Sequence, residues 1–288
     1  MRHNEAANVA HWDKCRRCGA VKVDHQIGLE DTPAEYVARM VTVFAEVRRV
    51  LAADGTCFVN IGDSYANDTK GRGSKPGPNL EGRADVDGVQ RGWRAGGLKK
   101  KDRVGIPHML TFALRDAGWW WRDEIVWHKP NPMTKSVRDR TTDAHEFLFL
   151  FTKSPRYFWD FDAMQEPAAY AGKKRGGSKL RYEQNAAGCD KKVYDTRNRR
   201  SVWKVTPDRR KRPGGKHFAV MPVGLVRPCV LTGSRPGDLV LDPFAGSGTT
   251  LAVAVEHGRR AVGLELNPQY ADMIRERLKT VQPNLTGC

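Results

Sequence analysis

The thirteen residues Asp238-Leu-Val-Leu-Asp242-Pro-Phe-Ala-Gly-Ser-Gly-Thr-Thr250 constrain this chain more than any other stretch, because an apolar run ends in an acid and then breaks into a glycine turn. Val240 and its neighbours suit a buried parallel strand. Gly246 and Gly248 let the backbone turn tightly against a ligand, and Thr249 and Thr250 are suited to cap the free N–H groups of a helix start. Nineteen positions after Gly246, the run Arg260-Ala-Val-Gly-Leu-Glu265-Leu-Asn267 carries a carboxylate suited to accepting hydrogen bonds from ribose hydroxyls. Strand, glycine loop, helix and strand-end acid make a Rossmann-type nucleotide pocket. Leu251, however, stands at the third glycine position of G-x-G-x-x-G, which disfavours a dinucleotide and with it a nicotinamide-dependent oxidoreductase.

Asp242-Pro-Phe-Ala-Gly-Ser-Gly-Thr-Thr250, followed by Gly263-Leu-Glu-Leu-Asn-Pro-Gln-Tyr270, resembles the S-adenosylmethionine-binding motifs of the DNA amino-methyltransferases, the N6-adenine and N4-cytosine enzymes. The resemblance runs from about Gln26 to about Leu278. It implies S-adenosyl-L-methionine as cofactor, held by Asp242, Pro243, Phe244, Gly246, Ser247, Gly248, Thr249, Thr250, Glu265 and Asn267. Phe218, in Gly215-Lys-His-Phe-Ala219, is expected beside the methionine portion.

Charge points to the second substrate. Lys and Arg number 49 against 33 Asp and Glu, for a net charge of +16, which favours a polyanion. Between Gln165 and Lys216 there are sixteen Lys/Arg against five Asp/Glu, interrupted by Tyr170, Tyr182, Tyr194 and Trp203. Cations in such a segment neutralise phosphates while aromatics stack on bases, so 165–216 reads as a basic DNA-recognition insertion, with a solvated charged loop as the plainer alternative. No apolar run approaches the roughly 18 residues of a membrane helix and no signal-peptide core is present, so a cytoplasmic protein is expected. The six cysteines then read as reduced thiols. Cys15 and Cys18 supply two thiolates where structural zinc takes four ligands; His11 and His25 could complete a site, but no metal is expected.

Helical spacing after Thr32-Pro33 predicts a helix to Leu51, ended by Ala53-Asp-Gly55, then a short strand at Cys57–Ile61. Asp63, Ser64 and Tyr65 follow at its carboxyl end, where open α/β sheets place their ligand sites, and form the expected pocket rim. Residues 67–101, rich in Gly, Arg and Lys, read as a mobile loop. A helix over Val104–Ala117, strands at Trp119–Trp127 and Glu146–Thr152, a hairpin into Tyr157–Trp159, and a helix over Met221–Leu231 complete the pattern. Trp119, Trp120 and Trp121 should mostly supply core. The nucleotide strand comes late, with one predicted strand after it, so the rest of the sheet must come from the earlier half. The expected fold is a single α/β domain over 1–288, Rossmann-like and permuted, with an inserted basic target-recognition region. This resembles the β-group motif order of the amino-methyltransferases.

One element of that family is missing. Its Asp/Ser/Asn-Pro-Pro-aromatic turn accepts hydrogen bonds from the exocyclic amine while the ring stacks on the flipped base. None of the sixteen prolines here adjoins another, so no catalytic residue is assigned. Asp242-Pro-Phe244 belongs to the cofactor loop, Ser154-Pro-Arg-Tyr157 to a turn, and Asp63-Ser-Tyr65 to a different strand end. Either the chain is an amino-terminally shortened enzyme, for which 1–25 would be the remnant of a Cys-containing insertion, or it is a catalytically defective DNA- and cofactor-binding protein. His128-Lys-Pro-Asn-Pro-Met133 and Ser136–Glu146 resemble the segment that packs beside the target base, which implies DNA contacts by Lys129, Asn131 and Arg138. Arg197, Arg199 and Arg200 join them in the run toward the cofactor motif. Double-stranded DNA is the expected partner and a cognate restriction endonuclease a possible companion.

Overall fold

The computed structural model describes residues 27–66, 97–132, 137–168, 195–207 and 221–282. Cys15, Cys18, Phe218 and most of the loop expected at 67–101 lie outside the described residues. The chain groups into two compact units, one from Met1–Thr42 with Ser64–Gly105 and one from Val43–Asp63 with Ile106–Cys288.

Helix α1 (Pro33–Val50) begins in the first unit and opens on a reciprocal cap. The N–H of Glu35 donates to Thr32 Oγ1 at 3.1 Å, and the N–H of Thr32 to Glu35 Oε2 at 3.2 Å. Pro33 follows as the first helical residue, where its missing N–H costs nothing. Ser64–Ala66 forms a short antiparallel contact with Asp102–Val104, and the Arg103 guanidinium lies 5.7 Å from the Tyr65 ring centre.

The second unit contains, in chain order, β1 (Thr56–Ile61), α2 (Ile106–Asp116), β2 (Trp120–His128), β3 (His145–Thr152), β4 (Gln165–Pro167), β5 (Thr196–Asn198) and β6 (Val202–Lys204). Then follow α3 (Val223–Gly233), β7 (Leu239–Asp242), α4 (Thr249–Glu256), β8 (Arg260–Gly263) and α5 (Pro268–Lys279). A four-stranded sheet runs β1-β3-β2-β6, with β3 antiparallel to both neighbours and β6 parallel to β2. β4 and β5 pair separately, and β7 pairs with β8 in parallel. Helix α3 serves both larger groups. Leu225 and Cys229 pack with Ile125, Trp127, Leu148 and Trp203 of the larger sheet, whereas Val226 and Val230 pack with Val253 and Ala254 of α4. The nucleotide strand thus comes after the larger sheet in the chain, as the permuted order requires.

Trp119 is buried against Phe44 and Phe151, and Trp121 meets Phe149 and Phe112 edge-on. Trp120 alone of the three points outward, because alternation along a strand sends every second side chain to the other face. Cys57 and Cys229 are free, and burial raises both thiols to about 12, which leaves them protonated and unreactive.

Three expectations are corrected. Tyr157–Trp159 forms no hairpin strand: the N–H of Phe158 donates to Asp54 O at 2.7 Å and that of Asp160 to Thr232 O at 2.9 Å, so the segment ties the turn before β1 to the last turn of α3. The plainer alternative for 165–216, a solvated loop, does not hold at its described end, because β6 joins the sheet and Trp203 is 3% exposed. Finally, β7 is not a buried strand among the described residues. Leu239 is 56% exposed, and its three successors are half-buried.

Candidate functional site

The glycine loop is built by local hydrogen bonds at the end of β7. Asp242 Oδ1 accepts the N–H of Phe244 at 3.0 Å, folding Pro243 into a tight turn and leaving the Phe244 ring 49% exposed. Gly246 and Gly248 adopt φ of 51° and 72°. A Cβ on Gly248 would also lie 2.9 Å from Ile274 Cγ1, so backbone conformation and packing both require glycine there. This residue occupies the position preceding α4, so the cap does not fall on Thr249 or Thr250 as the sequence suggested. Thr249 Oγ1 instead accepts from Arg277 Nη1 at 2.9 Å, and the same nitrogen donates to Ser247 O at 3.1 Å.

Glu265 closes the loop from the next strand end. Its Oε2 accepts the N–H of Gly246 at 2.8 Å and its Oε1 that of Asn267 at 2.9 Å. A carboxylate oxygen offers two lone pairs, so each retains acceptor capacity for a hydroxyl. Asn267 acts structurally here: its Oδ1 accepts the N–H of Gln269 at 2.9 Å and caps α5 ahead of Pro268. The absent third glycine also finds its explanation. A Cβ on Gly263 would lie 2.5 Å from Leu251 Cδ1 and 2.9 Å from Ala245 Cβ, so the space for close helix–strand approach is left by β8 and filled by Leu251.

Asp63 Oδ1 accepts the N–H of Ile106 at 3.1 Å and so anchors the start of α2 to the end of β1. At the same end of the larger sheet, Lys129 Nζ pairs with Glu146 Oε1 and sits 4.4 Å from the Trp127 ring centre. Asn60 Nδ2 donates to Phe147 O at 2.8 Å and to Glu146 Oε2 at 3.4 Å. This network, unseen in the sequence because its members are 17 and 86 positions apart, fixes where the His128–Pro132 segment leaves the sheet. Asn131 and Arg138 are exposed. Arg197 and Arg200 each donate to Glu166 Oε1 at 2.9 Å. Burial pushes the Glu166 carboxyl upward, but the hydrogen bonds and charges of Arg200 and Arg197 outweigh it and hold the group below its ordinary range. Arg199 stacks on Trp203, 4.2 Å from the ring centre. Among the described residues no group of three His, Cys, Asp or Glu is placed to hold a metal, and no helix is long and apolar enough to cross a membrane.

Arg277 is the residue that sequence reasoning missed. It lies three positions after Ile274, on the α5 face that meets the glycine loop, and that helical spacing is the signal that could have found it. Arg277→Met keeps the stem and removes both donations. Two lost hydrogen bonds at a half-exposed site should cost about 1 kcal/mol or somewhat more, roughly five- to tenfold in affinity for a ligand of the loop. Titration calorimetry of the variant should show that loss with an unchanged salt dependence of DNA binding.

The N6_N4_Mtase family of DNA methylases matches residues 7–276. The chain is 43% identical over 263 residues to the Type II methyltransferase M.Cfr9I of Citrobacter freundii, covering 91% of this chain and 78% of that protein. It is 42% identical over 253 residues to M.SmaI of Serratia marcescens, covering 88% and 77% respectively. Among solved structures it is similar to a protein of Thermus thermophilus described as a putative DNA modification methylase and complexed with S-adenosyl-L-methionine. That likeness has a TM-score of 0.52 at 25% identity over 87% of this chain and 79% of the other. The fold is shared with the cytosine-N4-specific PvuII DNA methyltransferase, at a TM-score of 0.61 and 16% identity over 93% and 78% of the two chains.

Proposed function

The chain belongs to the N6-adenine/N4-cytosine DNA methyltransferase family, and from that premise we propose that the loop Asp242–Thr250 with Glu265 holds S-adenosyl-L-methionine for site-specific methylation of duplex DNA. The observation that carries the residue assignment is the Glu265 carboxylate, clamped to Gly246 and Asn267 with acceptor capacity left over beside an open glycine turn. Bound there, the cofactor supplies an electrophilic methyl on its sulfonium for the exocyclic nitrogen of adenine or cytosine. The protein's own part is positional. Glu265 orients the ribose, Phe244 offers an exposed ring at the pocket mouth, and Arg277 braces the loop from beneath. Asp63 would stand at the rim, its carboxylate also serving α2. Lys129, Asn131, Arg138, Arg197, Arg199 and Arg200 would face the DNA, with Lys129 held in place by Glu146. The Type II names of the relatives favour a restriction endonuclease of the same specificity as companion, and action on cellular DNA favours the cytoplasm.

The test of DNA recognition is a salt titration. Each phosphate neutralised contributes about −0.9 to the slope of log K against log salt. The fold dictates which deletion to make. β4, β5 and β6 are structural, while the N–H of Ala168 donates to Asp195 O at 2.9 Å, so 169–194 can be replaced by a two-residue turn. Those residues hold seven Lys/Arg and two acids. The shortened chain should bind S-adenosylmethionine normally while its salt slope flattens and its preference among duplex sequences disappears. Retention of both would place recognition elsewhere.

A further inference from the structure

A cavity of about 130 Å³ opens in the second unit, on the sheet face that α3 covers, against the first half of β2 and the residues leading into β6. Its buried lining is apolar, from Ile125, Met164 and Trp203. Trp159 and Phe161 also line it, and Phe161 is 55% exposed. Ile125 and Asp123 stand three and five residues before His128, about 10 and 17 Å back along the strand. The cavity is therefore separate from the Lys129–Glu146 network.

A β-bulge aims an acid into this cavity. The register of β2 with β3 slips between Trp121 and Asp123. Trp121 meets Phe112 of α2, and strict alternation would send Asp123 to that same face. The extra residue reverses the order: Asp123 lines the cavity with Ile125, while Glu124 turns to His108 of α2 at 3.4 Å. Trp121 Nε1 donates to Asp123 O at 3.1 Å and holds the bulge. Asp123 Oδ1 accepts the N–H of Glu124 at 2.8 Å, and its Oδ2 accepts nothing among the described residues. Two donors line the same cavity. Gln165 Nε2 donates to Asn198 Oδ1 at 2.9 Å, which sets the Asn198 amide so that Nδ2 is left to donate. Arg199 lies 4.2 Å from the Trp203 ring centre, and no acceptor hydrogen-bonds its guanidinium among the described residues.

The lining selects the ligand. An apolar base beside aromatic rings suits a flat ring, one acceptor with two donors suits a ring edge that carries both kinds of group, and the Asp123 carboxylate repels a phosphate. Size sets the limit. A cavity of about 150 Å³ takes one benzene ring, so this one has room for a single ring and not for a purine. We propose that the pocket seats one pyrimidine base unstacked from the DNA, at a place separate from that of the methyl-accepting base. Asp123 accepts from the N–H groups of the ring edge, Asn198 and Arg199 donate to its oxygen and ring nitrogen, and Phe161 stacks on its face. This rests on the DNA-binding reading and adds a second base position to it.

The probe is a pair of duplexes identical except for one unpaired residue, deoxycytidine in one and an abasic sugar in the other, so that charge is equal and only the ring differs. The chain should bind the first about tenfold more tightly, within what one stacked base contributes. Phe161→Ala, at an exposed position, and Asp123→Asn, which keeps the acceptor for the Glu124 N–H, should each remove most of that preference. Affinity for the abasic duplex, its salt dependence and S-adenosylmethionine binding should not change in either variant. With an iodinated uracil as the unpaired base, ultraviolet crosslinking should attach it within 159–164 or to Trp203. Crosslinks confined to 128–132 or to the glycine loop would overturn the pocket and leave DNA binding standing. An unpaired purine held as tightly as the pyrimidine would do the same, and free deoxycytidine that competes at the concentration of the duplex would assign the pocket to a free nucleoside instead. Failure to bind either duplex would remove the DNA reading itself, and the proposal with it.

Discussion

Tritiated-methyl incorporation into mixed-sequence duplex DNA by the 288-residue chain alone should be roughly 10²- to 10⁴-fold slower than by a chain that also carries an Asp/Ser/Asn-Pro-Pro-aromatic turn, the range that positioned proton acceptance contributes to rate. The lone pair of an exocyclic amine is delocalised into its ring, and two acceptors on its hydrogens are needed to make it nucleophilic. No Pro-Pro occurs in this sequence, and the acids near the pocket already hold backbone N–H groups in structural roles: Asp242 Oδ1 that of Phe244, Asp63 Oδ1 that of Ile106, and the two Glu265 oxygens those of Gly246 and Asn267. Cofactor binding should be unaffected, which separates loss of chemistry from loss of fold. Robust turnover by the chain alone would sink this account and direct the search to Asp63-Ser64-Tyr65 at the end of β1.

Glu265→Ala should weaken S-adenosylmethionine binding by about 1.5–3 kcal/mol, roughly 10- to 150-fold, as measured by calorimetry. Three things are lost together: the proposed ribose acceptor and the partners of the Gly246 and Asn267 N–H groups. Because Gly246 lies in the turn itself, the variant should also loosen the loop. Glu265→Gln retains one acceptor oxygen and should fall between. Unchanged affinity in the alanine variant, or tighter binding of a nicotinamide dinucleotide than of the methyl donor, would remove the assignment.

The sequence by itself determined the glycine-loop unit. Gly246, Gly248 and Glu265 lie within one strand–loop–helix–strand unit, where spacing along the chain sets spacing in the fold, so their relation is readable without tertiary knowledge. Helix α1 and strands β1, β2 and β3 were legible for the same reason, since period and punctuation are local signals. What depends on distant partners was not. Leu251 at the third glycine position reads as a defect until Gly263 is seen to leave it room, and Arg277 reads as surface charge until α5 folds back onto Ser247 and Thr249. The basic insertion reads as cations interleaved with nucleic-acid-facing aromatics, yet Trp203 is core and Glu166 gathers Arg197 and Arg200, because a strand pairing across the sheet outweighs local charge. β7 reads as a buried strand from its composition, which states only that Leu239 and Val240 are apolar. Whether such residues are covered is decided by the neighbouring strands, and only the tertiary structure reveals that among the described residues β7 pairs with β8 alone and leaves Leu239 exposed.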